Sequence, residues 1–596
     1  MSDTEIDEET YYAQLAAARG MRSDYCGELG ADDVDRRVAV CGWVDRRREH
    51  GEKLAFIDLR DHTGVVQCVV DERLDLRAEF VVRIEGTVVA RPEGMENPML
   101  TTGDIELHDC EVEILNVAEP PPFPMHSRRE IDEGIRLRHR YVDLRRPKMQ
   151  DNLRTRAIVN SAVRTAMEDQ GFVEIETPML VASTPEGARD FVVPSRLHPG
   201  RFYALPQSPQ LFKQLCMVGG IDRYFQIARC LRDEDLRADR QFEFMQLDAE
   251  AAFVGQEDVI EVISYAVASA TEAVTGEWPE NFSTMTWHDA METYGSDKPD
   301  VRFGMTLVEL SDLFEGTEAR VFQVDCVKAI VASGGAELGR NRIDELTDMC
   351  KRWGAKGLAW FRVGEDLELD GALTKFMSET ELAELPRRLE AEPGDLLLLI
   401  ADKRRVVNHV LGLLRLELGR PPVNEGGLNF LWVTEFPLFE ALDEAGDPIS
   451  AHHPFTMPHP DDVDLIVRGG GEQLLRVRSQ AYDLVLNGWE LGSGSVRIHD
   501  SDIQKQVFAV LGISEEEAEA KFGFLLDAFR FGAPPHAGFA FGLDRLCALL
   551  LGEENIREVI AFPKTQSGTD PLTNAPSEID PRHVEELGLR VLPPST

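Results

Sequence analysis

Arginines at the ends of strands and in the first turns of helices are the residues best suited to hold phosphates, and this chain offers one of each. Arg232 stands where an apolar run, residues 224–231, meets the charged stretch Arg232-Asp233-Glu234-Asp235; residues 240–248 read as the antiparallel return. A guanidinium makes a planar two-pronged contact with phosphate, and Phe244 on the return offers a ring face to a base. Arg545 follows the glycine-rich run 538–542 and enters a helix through Leu543-Asp544, where the helix N-terminus itself favours anions. Asp483 and Glu490 could share a hard cation through carboxylate oxygens. Each feature has a blander reading: a hairpin with solvated charges, a packing strand rich in glycine, two acids spaced by chance.

These side chains need elements to hold them. Residues 38–44, 55–59, 65–70 and 81–89 are short β-branched runs separated by polar or glycine turns, the pattern of a small barrel, with an OB-fold the leading candidate and another β-domain the alternative. Pro120-Pro121-Pro122 and Pro124 mark a stiff boundary, and a basic hinge follows. Residues 152–170 carry Val159, Val163 and Ala166 at helical spacing; Gly171 stops the helix, and residues 172–176 alternate as a strand up to Thr177-Pro178. Residues 295–421 mix helices and strands without catalytic punctuation and read as an inserted domain. Strand text resumes at 428–433, and the tail beyond Phe562, rich in Pro, Ser, Thr and Asp, is expected to wrap a surface.

Composition limits what such a chain can be. At 596 residues it needs several cores. No apolar run approaches the ~20 residues that span a bilayer, and the acidic start lacks the order of a secretory signal, so a cytoplasmic protein without a membrane is expected. Nine cysteines stand singly, and an odd number rules out a complete disulfide framework. The net charge of −43 argues against a nucleic-acid partner until it is resolved locally. Residues 36–60 hold seven Arg or Lys against four acids, and residues 128–156 hold ten against five. Only 12 of the 63 basic residues are lysine, a surface suited to high intracellular salt, with a merely acidic lineage as the alternative.

Taken in order, Leu231 to Glu234, the GLDR of 542–545 and the helix–strand–Pro178 sequence are similar to motifs 2, 3 and 1 of class II aminoacyl-tRNA synthetases. TPEGARDF at 184–191, QSPQLFK at 207–213, RDEDLRADRQ at 232–241, AHHPFT at 451–456 and NGWELGSGSVRIH at 487–499 resemble the bacterial-type aspartyl-tRNA synthetases, from residue 21 to the tail. The resemblance implies an α+β multidomain fold: an N-terminal extension and OB-fold anticodon-binding domain over 1–120, a hinge over 121–150, and a catalytic domain in two parts, 151–294 and 421–562. The catalytic domain would be an antiparallel sheet flanked by helices, interrupted by an inserted α+β domain at 295–420 and followed by a C-terminal extension, 563–596.

It also implies roles. Arg232 clamps the α-phosphate of ATP, and Arg545 the γ-phosphate. Asp233, Glu234, Gln241, Glu490, Gly542, Leu543 and Asp544 complete the ATP site, with Phe244 stacked on adenine. Asp483 and Glu490 hold Mg²⁺. Lys213 and Arg497 bind the side-chain carboxylate of L-aspartate, Glu186, Gln210 and Asp248 face its ammonium, His452 lies against it and Arg232 contacts it too; Arg232, Arg545 and Glu490 serve catalysis. Arg46, Arg48, His50, Phe56, Gln67 and Gly94 meet the anticodon. Members with histidine in the loop after the arginine run and glycine in the second loop tend to charge both tRNA(Asp) and tRNA(Asn); members restricted to tRNA(Asp) tend to have leucine for the histidine. His50 and Gly94 therefore imply both partners, with tRNA(Asp) alone as the alternative. Motif 1 implies a homodimer. The rivals are an asparaginyl or lysyl enzyme, an ammonia-dependent asparagine ligase of the same fold, and a catalytically dead RNA-binding relative.

Overall fold

The computed structural model describes residues 20–50, 54–126, 130–183, 187–279, 282–444 and 446–592, the side chain of His50 excepted. The chain divides into two compact units, Met1–Asp151 and Asn152–Thr596.

In the first unit, β1 (Arg37–His50), β2 (Leu54–Arg60), β3 (Val65–Asp71), β4 (Val81–Ala90) and β5 (Ile105–Asn116) close a barrel in the order β1-β2-β3-β5-β4. Alternation explains it: Val38, Val40, Ile57, Leu59, Val66, Cys68, Val82 and Ile84 fill the interior, while the intervening residues face outward. The arginine run is strand, and so is the backbone of His50, expected in the loop after it: Arg46, Arg47 and Arg48 pair with Asp58, Ile57 and Phe56, and His50 pairs with Leu54 as the last residue of β1. The segment that follows the barrel is held by charge. Asp143, fully buried, accepts hydrogen bonds from Arg136, Arg140 and Arg146; burial works against the charged form, yet those arginines keep its carboxyl below the usual range.

The helix Pro147–Asp169, whose residues from Asn152 on belong to the second unit, begins a few residues earlier than its sequence pattern suggests. Then come β6 (Val173–Glu174), the hairpin β7 (Val192–Pro194) and β8 (Phe202–Ala204), β9 (Arg223–Leu231), β10 (Glu243–Ala252) and β11 (Phe282–Thr286). A separate five-stranded sheet follows, from β12 (Val308–Glu309), β13 (Cys326–Ala332), β14 (Ala359–Val363), β15 (Leu369–Asp370) and β16 (Leu396–Asp402), before β17 (Phe430–Thr434). The hairpin β18 (Phe439–Leu442) and β19 (Pro448–Ser450), then β20 (Ala481–Leu486), β21 (Trp489–Val496) and β22 (His536–Gly542), complete the set.

The large sheet runs β11-β17-β20-β21-β22-β10-β9-β6. It is antiparallel from β17 to β9 and parallel at both edges, so it is mixed rather than wholly antiparallel. The chain leaves at β11 and returns beside it at β17, which is how a whole second sheet is accommodated between two neighbouring strands. On β10, Leu247, Ala249 and Ala251 pack beneath the helix Gln256–Thr275, whose Val259, Ile263, Ala266 and Ala270 share their core. The alternate residues Phe244, Gln246, Asp248 and Glu250 are therefore presented on the opposite face.

Candidate functional site

The face of the large sheet away from that core opens as a cleft of about 310 Å³. Among its lining residues are Gln210, Lys213, Arg232, Glu234, Gln241, Phe244, Asp248, His452, Glu490, Arg497, Gly542 and Arg545. They come from three strands, β10, β21 and β22, from two helices and from the loops between, so the tertiary fold brings together residues spread over more than 330 positions. The floor is kept flat by small residues. A Cβ on Gly538 of β22 would fall 1.8 Å from the Glu250 carboxylate on β10, so only glycine lets those strands and that acid coexist.

At one end, Lys213 is 1% exposed on the helix Gln210–Val218. Its Nζ lies 3.3 Å from Asp248 Oδ1 and 3.4 Å from Glu250 Oε2. Arg497 meets Glu250 through Nε at 2.9 Å and Nη2 at 3.2 Å, and its Nη1 reaches His453 Nε2 at 2.7 Å and Ser495 Oγ at 2.7 Å. Two cations thus share two buried carboxylates. Burial penalises Glu250, but Arg497 and Lys213 hold it below its ordinary value; for Asp248 burial prevails over Lys213 and pushes the carboxyl up. Burial drives His452 down to about 4 and His453 well below its usual range, so both rings are neutral at pH 7. Three buried polar atoms of the lining have no protein partner, Gln210 Nε2, Asp248 Oδ2 and His452 Nε2; Asp483 Oδ1, also without one, lies outside the lining. Buried polar atoms are normally satisfied, so their convergence fits a polar ligand.

Glu250 and His453 are the residues that sequence reasoning missed. The period of two along β10 was the available signal for Glu250, which stands two positions beyond Asp248. For the His452-His453 pair, both line the cleft, and the one that binds Arg497 is the second.

The other end carries the phosphate-type cations. The Arg232 guanidinium lies 5.0 Å from the Phe244 ring centroid and donates from Nε to the Gln207 carbonyl at 3.3 Å. Arg545 donates from Nη1 to the Glu490 carbonyl at 2.6 Å and pairs with Asp239 at 3.3 Å. Glu234 pairs with Arg240 at 3.0 Å. Asp483 on β20 is held well above the usual carboxylate range, by burial first and then by the charge of Glu490. Two carboxylates that oppose each other's ionisation, one with an orphaned buried oxygen, fit a divalent cation completed by ligand phosphates. Among the described residues no cluster of three or more His, Cys, Asp or Glu could hold a metal without such help.

Four of the expected ATP-site residues make structural contacts, and two of them, Gln241 and Asp544, also line the cleft. Leu543 is buried in the core. Asp544 accepts from Arg156 and from the Met245 amide at 2.8 Å, tying β10 to the first helix of the unit. Asp233 lies 3.6 Å from Arg189 and outside the cleft lining. Gln241 lines the cleft, but its amide is committed to the Lys564 main chain, donating at 3.2 Å and accepting at 2.9 Å, which anchors the C-terminal segment. Glu186 lies outside the described residues.

The barrel carries the second constellation. Register places Arg46 opposite Asp58, Arg48 opposite Phe56 and Gln67 opposite Asp58, so all five share one outer face. Arg48 donates to Asp58 at 2.6 Å and to Gln67 at 2.9 Å, and Gln67 donates to Glu106 at 2.6 Å. An aromatic flanked by arginines and an ordered amide is suited to stack and read a splayed base. Gly94 turns the loop after β4 with φ +82°, in open space. His50's side chain is not among those described.

Residues 132–566 match the family of class II tRNA synthetases (D, K and N), and residues 38–115 match the OB-fold nucleic acid binding domain. The chain is 50% identical over 592 residues to the aspartate–tRNA(Asp/Asn) ligase of Symbiobacterium thermophilum, covering 96% of this chain and 99% of that one. It is 49% identical over 587 residues to the aspartate–tRNA(Asp/Asn) ligase of Caldanaerobacter subterraneus subsp. tengcongensis, covering 96% and 98%. Its fold is shared with the aspartyl-tRNA synthetase of Entamoeba histolytica, with a TM-score of 0.56 at 19% identity over 94% of each chain.

Proposed function

The chain belongs to the class II tRNA synthetases of the D, K and N group, and on that premise we propose that it joins L-aspartate to both tRNA(Asp) and tRNA(Asn) at the expense of ATP. The observation that carries the amino-acid assignment is the pair of buried cations, Lys213 and Arg497, at the closed end of the cleft.

The α-carboxylate of aspartate attacks the α-phosphorus of ATP in line, the bond to the bridging oxygen breaks, and pyrophosphate leaves with the electron pair. The 3′-terminal adenosine of tRNA then attacks the aspartyl-adenylate through a ribose hydroxyl, and AMP departs. A carboxylate is already a nucleophile, so neither step needs a serine, cysteine or histidine nucleophile; positioning and charge stabilisation suffice. Lys213 and Arg497 hold the side-chain carboxylate. Asp248, whose Oδ2 has no protein partner, and Gln210 face the ammonium. Neutral His452 packs against the substrate without adding a competing cation. Arg232 neutralises the α-phosphate as its phosphorus becomes five-coordinate, and Arg545 takes the far phosphate. Asp483 and Glu490 would hold Mg²⁺, which supplies charge to the phosphates when bound. Asparagine in the same pocket would leave the two cations facing an amide, which costs ~2–5 kcal/mol for a buried charge stripped of its partner.

The partner range rests on the barrel and on the names carried by the relatives. The two tRNAs share the first anticodon base and differ in the third, so acceptance of both requires a contact loose enough to tolerate C or U. Purified enzyme is expected to charge both. His50→Leu is expected to lower charging of tRNA(Asn) by one to two decades relative to tRNA(Asp), since a single base contact is worth ~1–3 kcal/mol and ~1.4 kcal/mol is tenfold. Wild-type enzyme that leaves tRNA(Asn) uncharged would reduce the proposal to tRNA(Asp).

The working form is a homodimer. Val173 on the edge strand β6, Met179, Leu180, Val192 and Phe202 are 54%, 40%, 53%, 58% and 48% exposed, and the Val181–Ala204 bridge joins this segment to the β7–β8 hairpin. Such an apolar edge suits an isologous two-fold contact. Light scattering at micromolar concentration is expected to give twice 66.8 kDa; a monomer refutes the dimer.

A further inference from the structure

The segment between β11 and β17 enters through residues 295–305, and that entry is pinned on two sides. On the side of its own module, Gly295 turns with φ +68°, and a Cβ there would fall 2.1 Å from the Asn408 carbonyl and 2.9 Å from Gly412 of the helix Arg404–Gly419. The same helix sends in Arg415, 1% exposed, which donates to the main-chain carbonyls of Asp300, Phe303, Gly304 and Met305 at 2.8 to 3.1 Å. Its guanidinium lies 3.9 Å from the Phe303 ring centroid and 4.9 Å from that of Tyr294. A cation that spends its donors on one loop's carbonyls fixes the path of that loop.

On the other side the loop grips the turn between β20 and β21. A Cβ on Gly488 would meet Asp300 at 3.1 Å. Arg420 pairs with Asp300 at 3.5 Å and donates to the Asn487 carbonyl at 3.3 Å. Glu490 is two residues beyond that turn. The result is that Lys298, half exposed, stands with its Nζ 3.8 Å from Glu490 Oε2, and both Asp297 and Lys298 act electrostatically on Asp483.

We infer that Lys298 is a phosphate ligand: it contributes its ammonium to the β- and γ-phosphates of ATP and to the departing pyrophosphate. By this route the module between β11 and β17 takes part in the first chemical step. The inference rests on the proposed adenylate-forming reaction. An exposed pair such as Lys298–Glu490 contributes little to stability, so its ammonium is free to turn to a ligand, and any phosphate held beside Glu490 comes within reach of it. Lysine suits that task as a mobile point charge. Arg415 acts only through the loop and is a positioning residue.

The test uses the full-length enzyme. Equilibrium binding of MgATP alone is expected to weaken about tenfold in Lys298→Met, and the KM for pyrophosphate in aspartate-dependent exchange to rise by a similar factor, with the aspartate KM unchanged. Lys298→Arg is expected to restore most of the binding. Arg415→Met, which leaves Lys298 in the chain but loosens its loop, is expected to shift the same two constants in the same direction. Unchanged MgATP and pyrophosphate constants in Lys298→Met overturn the inference, as does an equal loss for aspartate, which would reveal a merely structural role. Failure of the wild type to exchange with aspartate would sink the functional reading instead; the MgATP comparison would still decide the role of Lys298.

Discussion

Lys213→Leu is expected to remove aspartate-dependent ATP–pyrophosphate exchange to within the background of the assay. Lys213 is 1% exposed and stands between Asp248 and Glu250, with Arg497 on the far side of Glu250. Leucine keeps the bulk and deletes the charge, so the substrate carboxylate would face two protein carboxylates with only Arg497 to offset them. Losing one partner of a buried, hydrogen-bonded charge pair costs ~2–5 kcal/mol, which is roughly one and a half to four decades of kcat/KM at ~1.4 kcal/mol per decade. Burial already pushes the Asp248 carboxyl up and Lys213 is the foremost influence opposing it; without Lys213 the carboxyl should move further up and attract the ammonium less. Because the same substitution can strain the fold, MgATP binding serves as the control: the phosphate end of the cleft uses Arg232 and Arg545, neither of which touches Lys213. Normal exchange with an unaltered aspartate KM would show that Lys213 is not a substrate ligand.

Phe56→Ala should separate the two units functionally. Phe56 sits on β2 opposite Arg48, on the barrel face that also holds Arg46, Asp58 and Gln67. Stacking of a base on an aromatic is worth ~1–3 kcal/mol, so the KM for tRNA should rise by about one to two decades. Aspartate activation measured without tRNA should stay as it is, because Phe56 belongs to the other unit. An unchanged tRNA KM would assign Phe56 to packing of the barrel. A parallel fall in tRNA-free exchange would mean that the substitution had damaged the whole chain.

The residue types and their order were readable from the chain itself. Strand alternation in residues 38–89 marked the barrel, because a closed sheet must bury every second side chain. The antiparallel return of residues 240–248 after 224–231 was legible for the same reason, and β9 and β10 pair along their full length. A run of identities, however, does not tell which face each residue presents. Gly542 ends β22 and residues 543–545 open the next helix, so Gly542, Asp544 and Arg545 border the cleft while Leu543 turns into the core and Asp544 also meets Arg156. That Gln241, which lines the cleft, also anchors the tail through Lys564 is visible only in the tertiary structure.

Apart from the lysine and arginine assigned to a carboxylate and the aromatic on the barrel, which only the family resemblance implied, the sequence by itself offered two arginines able to hold phosphates, two acids able to share a cation, and basic β-strand text in an otherwise acidic chain. Local pattern suffices for these because side-chain chemistry and a period of two are properties of short segments. Only the tertiary structure decided how charges are shared. Glu250 joins Lys213 to Arg497 because strand register sets β10 beside β22, and His453 rather than His452 meets Arg497 because a loop from beyond the second sheet folds over the cleft. Those contacts join residues hundreds of positions apart, and long-range electrostatics in a buried site depends on distances that no local spacing encodes.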